Sequence, residues 1–166
     1  MTFSIVGHCP KTNMSGVAIT TSSICVGSRC PHVRAGAGAV TTQNVTDPSI
    51  GPEVLAHLAV GATAEIALSA VMADRPNRDY RQVALVDLTG NVAHFTGANI
   101  LGTNAVVAGS GCIAAGNLLA SEAVPAAMVT SFAADANLHL ADRLLTALQA
   151  GIEAGGEEGP THSAAL

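Results

Sequence analysis

The first ten residues, MTFSIVGHCP (1–10), set how the rest of the chain is read. From Thr2 to Gly7, Phe3 and Ile5 alternate with Ser4 and Val6, the period-two pattern of a strand whose two faces differ. Cys9-Pro10-Lys11-Thr12-Asn13 is turn chemistry, and GVAITT (16–21) reads as a second strand, so the chain opens on an antiparallel hairpin. The second residue also raises a chemical question. If Met1 is removed, Thr2 carries a free α-amine and a hydroxyl on one residue. The amine, with a reference pKa of about 7.7–8.0, can then act as base for its own hydroxyl. The competing reading is an ordinary threonine at a strand end.

Outward from this hairpin, SSICVGSRCPHVRAG (22–36) reads as irregular and GAVTTQ (38–43) as another strand. Asp47 and Pro48 suit an N-cap and first helical residue, ahead of a helix over 53–60 with Val54, Leu55 and Leu58 on one face. Thr63 caps a second helix over 64–73, without a full capping box because Ile66 stands where Glu or Gln would be needed. RQVALVD (81–87) and NVAHF (91–95) flank a hairpin loop, Leu88-Thr89-Gly90. Short strands fall at 106–108 and 112–115. Ser121 caps a helix to about Ala134, with Pro125 in its first turn. The longest helical pattern covers 138–154, with Leu140, Leu144, Leu145, Leu148 and Ile152 in step, and Gly155-Gly156 stops it. HSAAL (162–166) begins a strand. Hairpins alternating with helix pairs predict an α+β fold, as a four-layer αββα sandwich, and a two-layer α+β arrangement fits the same pattern.

The length of 166 residues suits one domain, residues 1–166. Hydrophobic residues make up 49%, charged residues 11% and aromatics 2%, with no Trp. That predicts an aliphatic core, with too few charges to cover a monomer, and hence a homo-oligomer. A net charge of −5 with seven basic residues argues against nucleic acid as a partner. No apolar run is long enough for a membrane span and no basic-then-apolar leader opens the chain, so a cytoplasmic location is expected, with the four cysteines reduced.

Several stretches together resemble the DUF1028 family. They are MTFSIVG (1–7), GVAITTSS (16–23), RAGAGAVTTQN (34–44), DPSIGPEVL (47–55), YRQVALVD (80–87), FTGAN (95–99), NLLASEAV (117–124), ADRLLTALQAGIEAGG (141–156) and SAAL (163–166). The resemblance implies an Ntn-hydrolase-like αββα fold and a homodimer. It also supports reading Thr2 as a nucleophile, because processing of members with a signal peptide would leave the matching threonine first. The chain departs from the family's usual pattern at His8-Cys9, where members usually carry Arg-Asp. It departs again at Gly159-Pro160-Thr161-His162, where basic residues are usual. An anionic substrate gripped by those charges is therefore not implied here.

The candidate site follows from these placements. Thr2 is the nucleophile and Asn117 the oxyanion donor of an amide hydrolase. Thr42 and Gln43, at a strand exit, offer hydroxyl and amide groups to a substrate. Arg81 can fork onto a carboxylate, or pair with Asp47 or Asp87 as structural support. Lys11, the single lysine, sits in a turn, which leaves Arg34 as the cation nearest to a lysine-assisted arrangement. Asn117 also reads as Gly-Asn turn chemistry, and Ser163 as strand packing. A rival constellation, His8, Cys9, Cys30 and His32, could ligate a metal, although adjacent residues on a strand point to opposite faces. GSGCIA (109–114) loosely fits a dinucleotide fingerprint, but without a strand–helix–strand unit it reads as a tight turn. The combined expectation is a cofactor-free Ntn-type hydrolase of small amides, cyclic ones included. The alternatives are a non-catalytic ligand-binding or assembly module on the same fold, or a metal-binding member.

Overall fold

The computed structural model describes residues 1–166. The first hairpin is longer than its sequence pattern: β1 covers Thr2–Cys9 and β2 Met14–Thr21. The two strands pair from Thr2↔Thr21 to Cys9↔Met14. They form the middle of a five-stranded sheet. β8 (Cys112–Asn117) lies beside β1 and β7 (Ala105–Gly109) beyond it. β9 (Ser163–Ala165) adds to the free edge of β2. A four-stranded sheet runs β3 (Pro31–Arg34), β4 (Gly38–Asn44), β5 (Arg81–Asp87) and β6 (Val92–Thr96). All pairings are antiparallel.

Alternation along each strand sorts the buried residues into three clusters. Phe3, Ile5 and Cys9 of β1 pack with Ala18, Ala114, Phe132, Leu144 and Leu148 under helices α3 (Ala123–Ala134) and α4 (Leu140–Glu153). Val40, Val83 and Leu85 pack under α1 (Ile50–Ala59) and α2 (Ala64–Met72). The opposite faces of both sheets meet in a third cluster, with Val6, Val17, Ile19, Ile113 and Ala115 against Ala39, Ala84 and Val86. The pattern is an α+β fold of two antiparallel sheets and four helices. Two paired glycines, Gly7 and Gly16, let the helices close on β1 and β2. A Cβ at Gly7 would lie 2.7 Å from the Phe132 ring, and one at Gly16 would lie 2.9 Å from Leu144.

The structure departs from the sequence pattern in a few places, each with a local cause. PHVR (31–34), read as irregular, is the edge strand β3. It starts on a proline and is half exposed, so it lacks the apolar alternation of a central strand. Asp47 is not the N-cap of α1. Its Oδ1 accepts from the Ser49 N–H (3.1 Å) and hydroxyl (2.7 Å), an Asx turn that leads into a helix starting at Ile50. Ser121 does not cap α3, which begins at Ala123 after Glu122 without a side-chain cap. Leu145 and Ile152 of α4 are half exposed, because they sit off the stripe of Leu140, Leu144 and Leu148 that meets the sheet.

Thr63 does cap α2, its Oγ1 accepting the Ile66 N–H at 3.3 Å. Thr63→Ala should therefore cost about 1 kcal/mol, read as a lower urea midpoint at unchanged slope.

The β5–β6 loop is organised by a buried carboxylate. Asp87 Oδ1 accepts from Thr89 N (2.8 Å), Thr89 Oγ1 (2.7 Å) and Asn91 N (3.0 Å), and Oδ2 from Asn91 Nδ2 (3.3 Å). Burial works to raise its carboxyl pKa, but these donors win and hold it below the ordinary value. A carboxyl depressed in the folded state contributes stability above its unfolded pKa of about 3.9 and loses it as pH falls through the folded value. Asp87→Asn should cost about 1–2 kcal/mol at pH 7, with the gap to the parent narrowing below about pH 4 in urea titrations.

Candidate functional site

The third cluster is apolar in its middle and polar at one end. On β1 the residues facing the other sheet are Thr2, Ser4, Val6 and His8, the same parity that puts Phe3 and Ile5 under the helices. Register carries Thr21 of β2 and Asn117 of β8 to either side of Thr2. Across the gap, Gln43 of β4 stands opposite Gln82 of β5. Thr2, Ser4, Thr21, Gln43, Gln82 and Asn117 are all buried.

A chain of hydrogen bonds joins Ser4, Gln43, Gln82 and Asn117. Ser4 Oγ donates to Gln43 Oε1 (2.8 Å), Gln43 Nε2 to Gln82 Oε1 (2.8 Å), and Gln82 Nε2 to the Gly116 carbonyl (3.1 Å). Asn117 Nδ2 also donates to Gln82 Oε1, at 3.2 Å. That spends one of the two N–H groups of Asn117, and its Oδ1 is buried with no partner. Buried polar atoms are nearly always satisfied, so an orphan acceptor in an otherwise connected network marks a place for a donor brought from outside.

The hydroxyl of Thr2 lies 3.0 Å from that of Thr21. It also donates to the Met1 carbonyl at 2.6 Å, and Thr21 Oγ1 donates to the same oxygen at 2.5 Å. Glu157 closes this end. It is buried, forms an isolated bridge with Leu119, and accepts from Ser22 N (3.1 Å) and Thr161 Oγ1 (3.3 Å). Burial pushes its carboxyl pKa up. The Ser22 N–H, the Met1 ammonium, the Thr161 hydroxyl and His162 pull the other way without cancelling the rise.

The other residues singled out from sequence lie elsewhere. Thr42 shares a face with Val40 and points toward α1 and α2, where its Oγ1 is buried without a partner. Arg81 shares the face of Val83 and gives Nη1 to the Val45 carbonyl. Neither carboxylate expected beside Arg81 forms an ion pair with it, and Asp47 lies 3.7 Å from Arg75 instead. Arg34 is exposed at the β3–β4 turn, paired with Gly38, five residues along β4 from Gln43. The geometry thus keeps Thr2, Gln43 and Asn117 together and separates Thr42, Arg81 and Arg34 from them.

The His/Cys constellation is dispersed. His8 faces the sheet gap and meets Ser15 Oγ at 3.2 Å, while Cys9 faces the helices. Cys30 contacts the Thr46 hydroxyl, and His32 lies against Gly51. No three His, Cys, Asp or Glu side chains come together as a metal-binding group. Burial raises the Cys30 thiol and takes Cys112 to about 11, so both stay protonated near neutral pH. GSGCIA runs from the last residue of β7 through a two-residue turn, Ser110-Gly111, into the first half of β8.

Two clefts lie away from Thr2. One, of about 850 Å³, is lined by His8, Lys11, Glu65, Asn91 and Arg143 at the far end of β1. The second, of about 600 Å³, is bordered by Met14, Arg34, His139 and Leu166.

Sequence reasoning passed over Thr21, Ser4, Gln82 and Glu157. The first three could have been found by carrying the parity of Thr2 across the hairpin and into the facing sheet. Glu157 carries no such signal, since nothing in GGEEG (155–159) says which acid turns inward.

Facing antiparallel sheets, helices on both outer sides and a strand-end threonine set into a buried polar cluster define an α+β protein with a candidate site at one end of the sheet gap. The chain belongs to DUF1028, a family of unknown function, whose model matches residues 2–166. It is similar to the crystal structure of a DUF1028 protein from Silicibacter pomeroyi, with 38% identity and a TM-score of 0.91 over 98% of this chain and 70% of that one. No curated protein matches the chain, and no helix is long and apolar enough to cross a membrane.

Proposed function

We propose that the protein is an Ntn-type amide hydrolase built on an αββα sandwich, with Thr2 as nucleophile once Met1 is removed. The observation that carries this reading is the position of the Thr2 hydroxyl. It is buried at the strand end, beside Thr21 and directly across the pairing from Asn117.

The steps follow from these groups. The freed α-amine of Thr2 takes the Oγ1 proton as Oγ1 bonds to the carbonyl carbon of a small amide. The uncommitted N–H of Asn117 donates to the developing oxyanion, while Gln82, itself held by Gln43, fixes the Asn117 amide. The proton passes from the α-amine to the leaving nitrogen as the C–N bond breaks, leaving an ester on Thr2. A water, deprotonated by the same amine, then attacks that ester. The carboxylic acid departs and Oγ1 regains its proton. No step calls on a cofactor.

The reading includes a cytoplasmic homodimer. Exposed apolar side chains on several elements, Ile24, Val60 and Ile66 among them, and the low charge fraction support self-association.

One observation favours a second reading. The Met1 carbonyl accepts from both Thr2 and Thr21, so a chain that keeps Met1 has no free amine at Thr2 and would act as a ligand-binding or assembly module. Intact mass of the native protein separates the two, because only loss of one methionine is compatible with catalysis. A hydrolysis screen over small amides and lactams should then find turnover in the chain that begins at Thr2. A processed chain inactive across that screen would count against the hydrolase.

A further inference from the structure

The larger of the two clefts, about 850 Å³ at the far end of β1, takes no part in the chemistry proposed for Thr2, and its volume is that of a small-molecule site. Two of the chain's seven basic residues, Lys11 and Arg143, line it, and Glu65 is the single acid among its lining residues. Glu65 has its own reason to be there: it stands in the first turn of α2, where a carboxylate complements the helix dipole.

Arg143 is the unusual member. It is 7% exposed and forms no ion pair, those of the chain being Arg75 with Asp47 and Glu53. Its Nε and Nη2 both donate to the Phe132 carbonyl, at 3.1 and 3.0 Å, and its guanidinium carbon lies 3.8 Å from the centre of the Phe132 ring. These contacts fix the plane of the group and satisfy a carbonyl in the last turn of α3. They use two of the five N–H groups of the guanidinium. The other three, two on Nη1 and one on Nη2, lie along its outer edge, the geometry that takes both oxygens of one carboxylate. Nη1 has no partner in the protein and is not sealed from the surface. A buried cation held in one orientation, with this edge unused and no acid opposite, is costly unless an anion supplies the missing charge.

Lys11 brings a second positive charge to the same cleft. Its Nζ gives one hydrogen bond, 2.6 Å to Asn137 Oδ1, which ties the β1–β2 turn to the segment between α3 and α4 and leaves two N–H groups free. From the gap-facing side of β1, His8 lines the cleft as well. It is 4% exposed, its Nδ1 meets Ser15 Oγ at 3.2 Å, and its Nε2 has no partner.

We infer that this cleft binds a small organic acid, its carboxylate on the free edge of Arg143, with Lys11 supplying the second charge and a further polar group of the ligand reaching toward His8. Because Arg143 comes from the helix side of β1 and His8 from its other face, an acid with two polar ends suits the cleft better than a compact ion. The site is separate from the Thr2 end of the sheet gap and stands whether or not Thr2 is a nucleophile.

The test is a titration of the full isotope-labelled chain at neutral pH, followed by amide chemical shifts. Succinate and glutarate are the probes, succinamide and glutaramide their uncharged counterparts, and sodium chloride at matched ionic strength the control for charge alone. Saturable shifts are expected at the cleft, around residues 8–11, 89–92 and 109–111, with one diacid binding at least about tenfold more tightly than its diamide. Arg143→Lys keeps the charge but loses the two-pronged edge, and should weaken that diacid by about tenfold or more. Lys11→Gln, at an exposed position, should weaken it by about threefold. No saturable shift at the cleft with either diacid, diamides that bind as tightly, or shifts that sodium chloride reproduces would overturn the site. So would undiminished binding in Lys11→Gln and Arg143→Lys; if Arg143→Lys does not fold, the diamide comparison and Lys11→Gln decide.

Discussion

In the chain that begins at Thr2, Thr2→Ala is expected to lower kcat/KM for amide hydrolysis by about 10⁴-fold, the scale on which removal of a covalent nucleophile acts. The variant keeps the α-amine, the Asn117 amide and the Gln43–Gln82 pair. What remains is binding and oxyanion stabilisation without a covalent step. Stability should change little, because Thr2 contributes one hydroxyl at a strand end and its backbone pairing with Thr21 and Asn117 is untouched. Thr2→Ser should retain measurable turnover, since it preserves both the hydroxyl and the adjacent amine. Steady-state kinetics with purified chains checks this. Equal rates for parent and Thr2→Ala would remove Thr2 from the mechanism.

Gln82→Leu carries the largest expected effect on stability, about 3–5 kcal/mol. Gln82 is fully buried, and its side-chain amide makes three of the bonds that join the sheets at this end: it accepts from Gln43 and Asn117 and donates to the Gly116 carbonyl. Leucine is similar in size, so cavity formation is a minor part of the cost. The loss comes from two donors and one carbonyl left without partners, each worth about 1–3 kcal/mol when buried, less what relaxation recovers. The Asn117 amide would also lose its anchor, so residual activity in any folded fraction should fall as well. Urea unfolding measures the first effect; a loss below about 1 kcal/mol would mean that the network does not hold the sheets at this end.

Much of the fold was legible because its signals are local. The alternation of Phe3 and Ile5 with Ser4 and Val6 marks β1, and the same alternation assigns those residues to two different cores. Thr63 announces α2 by the capping chemistry it performs. The failures arise where local and tertiary demands diverge. PHVR needs a neighbouring strand to become one, and no pattern within it says so. Leu145 looks like core on a helical wheel, yet the sheet meets a narrower stripe than the wheel offers.

For the site, parity decides. Thr42 and Gln43 are equivalent as polar residues at a strand exit, but one faces α1 and α2 and the other faces Ser4. Arg81 and Gln82 divide in the same way. Which of each pair turns into the gap depends on sheet register, which is set by contacts distant in sequence. Glu157 comes from farther still, brought to Leu119 and the Ser22 N–H by the segment between α4 and β9.

The most direct measurement is to trap the ester. The chain beginning at Thr2 is mixed with the p-nitrophenyl ester of a small carboxylic acid, quenched in acid and mapped by mass, with Thr2→Ala treated in parallel. One acyl group on the Thr2 hydroxyl, released by hydroxylamine and absent from the alanine variant, is the result expected. An unmodified hydroxyl, or the same adduct on both chains, would contradict the account.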